Sequence, residues 1–351
     1  MPILSKDEAQ ALLKKVLSFS KADECEVNLN GGDRGNIRYA RNSVSTSGGI
    51  SQSTLVVSSA FGKKLGVATI NEFDDESLKK VVQRAEELAR LTPENPEYVS
   101  MMGPDTFPDS PTFVQATADM GPKERADAVA SSLQISKDNK LIAAGFLENN
   151  TGYSAVMNSK GLFAYNTSTN VSFNVTLRTE DGKGSGYATK SFNDYRKLDV
   201  KASTATAASK ATASAAARAI EPGKYTVILE PAAGLVLLEN MFFGMDGRQA
   251  DEGRSFMSKP GGLTKLGEKM VDERVNIYSD PFNTDLPSST WAGDGRRQEK
   301  IYWIEKGAIK NLFYSRFWAQ KKGVKAVPQP NTVIMECTNQ SLEDMIKCTE
   351  K

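Results

Sequence analysis

Two octapeptides decide the fold: GKKLGVAT at residues 62–69 and GKGSGYAT at residues 182–189. In each, one glycine opens a turn, a second lies four residues on, and a short run with strand character follows. Each is followed by a phenylalanine (Phe73, Phe192), an acidic residue (Asp74, Asp194) and a helical stretch. One such match is weak alone. The order around it repeats as well, and two related α+β units are expected.

Outward from the first copy, Ser5-x-x-Glu8 is a capping box, and Ala9, Leu12, Leu13, Val16 and Leu17 recur at helical spacing behind it. Residues 25–30, 37–44, 51–59 and 64–69 read as strands, with turns at 31–35 and at Gly48-Gly49. Asp74, Asp75 and Glu76 open a helix whose buried stripe is Leu78, Val81, Val82, Ala85, Leu88 and Ala89; Pro93 stops it. Residues 92–122 read as a surface connection. Around the second copy, Pro122 begins a helix with Ala126, Val129, Ala130 and Leu133 inward. Strands are expected at 141–149, 153–158, within 163–177 and at 184–189. The Ala-, Ser- and Thr-rich stretch 195–220 is read as a closely packed helix, with a low-complexity linker as the competing reading.

The last third opens on the turn Glu221-Pro222-Gly223 and a strand at 225–229. Pro231 starts a helix that reaches Phe243 and closes at Gly244. Residues 244–267 read as a long loop. Strands follow at 274–278, 297–305, 308–314 and 331–337, with a turn at 305–307, and a helix begins at Ser341. The fold class is α+β: two related helix-plus-antiparallel-sheet units followed by a β-rich C-terminal domain. The domains are expected at 1–110, 111–221 and 222–351.

The 351 residues carry 44 basic and 43 acidic side chains, a net charge of +1, which offers no broad field for nucleic acid or an anionic membrane. No apolar run approaches a membrane span, and residues 1–15 lack the layout of a signal peptide, so a cytoplasmic protein is expected. Cys25, Cys337 and Cys348 are too widely spaced for a C-x-x-C pair and are read as reduced thiols. The sequence has no histidine. That excludes Ser-His-Asp and Cys-His catalysis and His-Glu-x-x-His zinc sites.

Several stretches carry a family resemblance. They are residues 62–93 with their AEELARLTPENP tail, TVILEPAAGLVLLENMFFGMDG (226–247), SFMSKPGGLTKLGEKM (255–270), SDPF (279–282) and the run 292–324. Together they resemble the TldD/PmbA family, once called modulators of DNA gyrase, over nearly the whole chain. The resemblance implies paired subunits, one of which holds zinc through His-Glu-x-x-x-His on the helix after the TVIL-type strand. Here that window is Leu238-Glu239-Asn240-Met241-Phe242-Phe243. Leu238 and Phe243 stand where the imidazoles would be and have no lone pair for a metal; Glu239 alone matches. The chain thus resembles the TldE/PmbA-type subunit. No cofactor is expected in it, and zinc is expected only in a catalytic partner.

Glu239 is read first as pairing with an arginine of the neighbouring loop, such as Arg248 or Arg254, since a buried lone carboxylate is costly; solvent exposure and, last, a catalytic role are the alternatives. Asp246, Arg248 and Arg254, in the glycine-rich loop, are candidates for a substrate cleft. Asp280, Asp285 and Asp294 are weighed as an oxygen-ligated cation site, though without EF-hand spacing. Trp318, with Arg296, Arg297, Arg316 and Lys325, is a basic aromatic patch, read as a solvated face or a subunit contact before a nucleic-acid contact. Family chains run on by several strands past the Ser341 helix, so the C-terminal domain is expected to be a shortened form, or the sequence lacks that tail.

The function expected is a non-catalytic subunit of a TldD/TldE-like metallopeptidase assembly. It would hold unfolded peptide in extended form by strand addition and close a chamber around the partner's zinc. The partner is a TldD-like subunit, a second copy of this chain, or both. Two other readings stay open: an independent hydrolase with a non-histidine site, and a regulatory module linked to DNA gyrase.

Overall fold

The computed structural model describes residues 3–336, 338 and 340–349. Cys337, and Lys351 at the end of the chain, lie outside the described residues. The chain divides into two compact units, Met1–Ala215 with Phe282–Arg297, and Ala216–Pro281 with Gln298–Lys351.

In the first unit the chain runs α1 (Lys6–Leu17), β1 (Glu24–Ala40), β2 (Ser43–Phe61), β3 (Lys64–Ile70) and α2 (Asp75–Leu91). After a short α3 (Gln115–Ala118) the pattern recurs as α4 (Pro122–Asp138), β4 (Ile142–Asn158), β5 (Phe163–Arg178), β6 (Ser185–Phe192) and α5 (Val200–Ser214). All six strands join one antiparallel sheet in the order β3-β2-β1-β4-β5-β6, so the two repeats meet along β1 and β4. The expected pair of related units is therefore a single shared sheet.

The octapeptides owe their glycines to two constraints. Gly62 and Gly182 turn the chain at φ +57° and +71°, where L side chains are strained. Gly66 and Gly186 face a helix so closely that an added Cβ would strike backbone: Ala85 and Ala89 of α2, Ala207 and Ala211 of α5. The small residues of 195–220 serve that approach; the α-helix there covers Val200–Ser214, preceded by a separate 3-10 turn at Tyr195–Lys197, so the expected helix is shorter than 195–220.

The odd-numbered residues of β1 face the helices. Cys25, Val27 and Leu29 pack with α1 and α2; Ile37 and Tyr39 pack with the core under α4 and α5. Two expectations fail here. Neither residues 31–35 nor Gly48-Gly49 turn: β1 and β2 run through them and pair there, and the hairpin turns at Arg41 and Asn42, with φ of 49° and 59°. Glycine inside a strand marks a close approach instead. Gly31 makes room for the Tyr153 ring and Ser53, and Gly35 for the Arg125 guanidinium. The stripe of α4 is also displaced in part. Val129 is buried and Leu133 packs on the core as expected, but Arg125, Ser132 and Ser136 are the other buried residues, and Ala126 and Ala130 are exposed.

In the second unit α6 (Pro231–Phe243) is followed by α7 (Gly247–Asp251), β7 (Ser258–Lys259) and β8 (Leu263–Thr264), then β9 (Asn276–Ser279), β10 (Ile301–Glu305), β11 (Ala308–Ile309), α8 (Arg316–Lys322), β12 (Ile334–Glu336) and α9 (Leu342–Cys348). A four-stranded antiparallel sheet, β11-β10-β9-β12, carries a core around Trp303, Ile304, Met245 and Met257. Among the described residues no helix is long and apolar enough to cross a membrane. The expected strand at 225–229 is not assigned, and Tyr225, Val227 and Leu229 are exposed.

Candidate functional site

Helix α6 forms as its sequence implies, with Pro231 at its first turn and Gly244 as its C-cap. Pro231 lacks the N–H that would be orphaned there. The helix is apolar nearly all round, yet among its residues only Phe242 is buried. Phe242 meets Trp303 edge-on, with ring centroids 5.7 Å apart at 81°. Leu238 and Met241 lean on the same core. Phe243 is 76% exposed. Positions 238 and 243 thus point apart, since five residues rotate a helix by about 140°.

The zinc that the family resemblance implies does not fit these residues. Leu238 and Phe243 offer no donor atoms, the chain has no histidine, and no cluster of three His, Cys, Asp or Glu exists among the described residues. Glu239 is exposed, and the expected pairing with Arg248 or Arg254 is not made. Both arginines turn to Glu252, at 3.0 Å from each Nε, and hold that carboxyl below its usual range.

The loop after α6 is more ordered than its glycines suggest. Asp246 caps α7 by accepting from the Gln249 amide at 2.9 Å, and Gly247 leaves room for the Tyr314 ring. Here the fold brings two sequence candidates together. Arg248 lies over the Trp318 ring at 4.9 Å, and the Trp318 indole N–H donates to Asp251 at 2.8 Å. Lys321 lies over the same ring at 4.6 Å, and Lys322 reaches Asp251 at 3.5 Å. Asp246, Arg248 and Trp318 therefore belong to one small knot of α7 and α8, while Arg254 stays with Glu252.

Each of the three aspartates weighed for a cation has a basic neighbour. Asp285 pairs with Lys197 at 2.9 Å and Asp294 with Arg296 at 2.7 Å, both in the first unit, while Asp280, in the second, lies 3.9 Å from Lys300. The basic aromatic patch is divided likewise: Arg296 and Arg297 belong to the first unit, Arg316, Trp318 and Lys325 to the second.

A cleft with no counterpart among the sequence expectations opens on the helix face of the first unit. It holds about 670 Å³ and is lined by Asp33, Gly35, Asn149 and Arg125, with Phe113 and Met120 among its apolar walls. Arg125 is 6% exposed; its Nη1 donates to Asn149 Oδ1 at 2.7 Å and to the Met120 carbonyl at 3.2 Å. The signal in the sequence was Gly31 and Gly35, spaced to one strand face.

Three family models match the chain in order: PmbA/TldA metallopeptidase domain 1 over residues 25–89, the central domain over 117–220 and the C-terminal domain over 222–351. An uncharacterised protein of Methanocaldococcus jannaschii is 24% identical over 80% of this chain and 67% of its own length. A protein named a metalloprotease, from Methanothermobacter thermautotrophicus, is 25% identical over 49% of this chain and 38% of its own length. Among solved structures, TldE from Thermococcus kodakarensis matches with a TM-score of 0.82 at 20% identity, over 96% of this chain and 79% of that one. A proposed modulator of a DNA gyrase from Thermotoga maritima matches at 0.85 and 17%, over 97% and 80%. At such identity these structures speak for the fold alone.

Proposed function

This chain belongs to the PmbA/TldD metallopeptidase family, and from that premise we propose that it is a non-catalytic subunit working beside a histidine-bearing catalytic partner. The observation that carries the proposal is the state of the motif helix. A zinc peptidase needs convergent donor atoms and a base that deprotonates the bound water. Here the donor positions are Leu238 and Phe243, which carry no lone pair for a metal.

A second observation supports association with another polypeptide. Tyr225, Val227, Leu229, Leu235, Val236, Leu237 and Phe243 are all exposed within one nineteen-residue stretch. Apolar surface concentrated in this way is rare on proteins that act alone. In this reading the substrate is unfolded peptide, held extended by adding a strand to a sheet edge. The zinc and the activated water belong to the partner, and the compartment is the cytoplasm.

The test is peptidase activity with metal analysis, on this chain alone and on this chain mixed with a histidine-containing family member from the same genome. Cleavage and bound zinc are expected only in the mixture. Chelator-sensitive cleavage by the chain alone would overturn the proposal.

A further inference from the structure

The cleft on the helix face of the sheet carries a second inference, independent of the accessory-subunit reading. We propose that it binds a short peptide through the peptide's C-terminal carboxylate, with Arg125 as the carboxylate's partner.

Arg125 is a buried cation with no counter-ion among the described residues. Its Nη1 is satisfied by Asn149 and the Met120 carbonyl, but Nε is buried with no acceptor. Burying a guanidinium without a counter-charge is unfavourable. Burial accordingly draws Arg125 below its usual range, with Glu124 opposing that from the same helix. With both Nη1 hydrogens taken and Nε sealed, Nη2 is the N–H group left to meet an anion in the cleft, and a carboxylate oxygen suits it.

The guanidinium is held in place for such a ligand. It lies on the α-carbon of Gly35, where an added Cβ would overlap its Nη1, Cζ and Nη2. Nothing but glycine leaves that seat open at this point of β1. The rest of the cleft is built for an amphiphile. Ile50, Phe113 and Met120 offer apolar wall, and Asp33 lies on the same strand face two residues before Gly35, about 7 Å along the strand. Asp33 is exposed, placed to meet an ammonium group at the other end of a small zwitterion. A dianionic phosphate is disfavoured relative to a zwitterion, because Asp33 and Asp119 line the cleft and repel two charges more than one while attracting an ammonium group. The volume, about 670 Å³, suits a ligand of a few residues.

The experiment is calorimetric titration of the full chain with the tripeptide Ala-Phe-Leu, its C-terminally amidated form, its N-acetylated form, and inorganic phosphate. The free-acid peptide is expected to bind, and amidation to weaken binding by about tenfold or more, the loss of a charge-assisted pair. Arg125→Gln should cause a similar loss. Asp33→Asn, at an exposed position that threatens no packing, should weaken the free-amine peptide and leave the N-acetylated one unchanged. No binding by the free-acid tripeptide, equal binding of acid and amide, or phosphate competing as well as the peptide would each overturn the proposal. If Arg125→Gln fails to fold, the comparison of acid with amide on the unaltered chain still decides it. Should Arg125→Gln fold and bind unchanged, Arg125 is a structural tie and the assignment is wrong.

Discussion

Glu24 shows how a single side chain can tie β1 to the segment that follows α2. Desolvation raises its pKa, but hydrogen bonds from Ser100 Oγ (2.6 Å), the Met101 amide (2.7 Å) and Tyr98 OH (2.9 Å), with Lys160 at 3.1 Å, outweigh it. The result is a fall from an ordinary 4.5 to about 2. A carboxyl depressed in the folded state contributes stability above its unfolded pKa and loses it as pH falls through the folded one. Glu24→Gln should therefore cost about 1–3 kcal/mol at neutral pH. The difference from the parent should close between pH 4.5 and about 2, as read by urea melts across that range. At Gly66 and Gly186 the cost is steric. Alanine at either would push a helix off the sheet, and about 2 kcal/mol or more of destabilisation is expected in thermal melts. Those two glycines were legible because the octapeptide repeats. Arg125 was not. Hydrophobicity assigns Ala126 to the buried stripe, and nothing local announces that a guanidinium will find Asn149 and the bare α-carbon of Gly35 across the sheet.

Helix α6 sets two adjacent phenylalanines in opposite surroundings, which makes a controlled comparison. Phe242→Ala should cost about 3–5 kcal/mol, because it empties the site beside Trp303. Phe243→Ala should fall within about 0.5 kcal/mol in the same denaturant titration, since its ring is in solvent. Equal costs would mean that Phe243 is covered. The boundaries of this helix were readable from Pro231 and Gly244, because both residues act on the backbone locally. What the helix buries was not readable, because an all-round apolar helix has no preferred face. The same limit applies to residues 225–229. Their apolar content fits a buried strand, but a strand forms only where a neighbour supplies hydrogen bonds. The hairpin of β1 and β2 was misplaced for the converse reason. Its turn residues, Arg41 and Asn42, are inconspicuous, and the conspicuous glycines lie where side chains from other elements approach.

At the scale of the whole molecule, the chain leaves the second unit at Phe282 and rejoins it at Gln298, and the sixteen residues between belong to the first unit. Trp291 is the anchor. It is 8% exposed and packs with Val156, Leu162 and Ala164, beside Met102 and Phe107. Thr290 donates to the Pro108 carbonyl at 2.8 Å, and Gly295, at φ +78°, lies against Leu162. Burial of that indole places part of the first unit's stability far away in the sequence. Trp291→Ala should therefore destabilise the first unit by about 3 kcal/mol. Cys25 gives a site-specific readout, since its thiol is 1% exposed and desolvation raises its pKa. Alkylation of Cys25, followed by mass spectrometry, requires the first unit to open, whereas Cys348 is exposed and reacts at once. The variant should speed Cys25 labelling by about a hundredfold when opening is in rapid equilibrium, the equivalent of that loss. If labelling of Cys25 is unchanged while the melting of the Trp303 core shifts, the 282–297 segment stabilises the second unit and does not belong to the first.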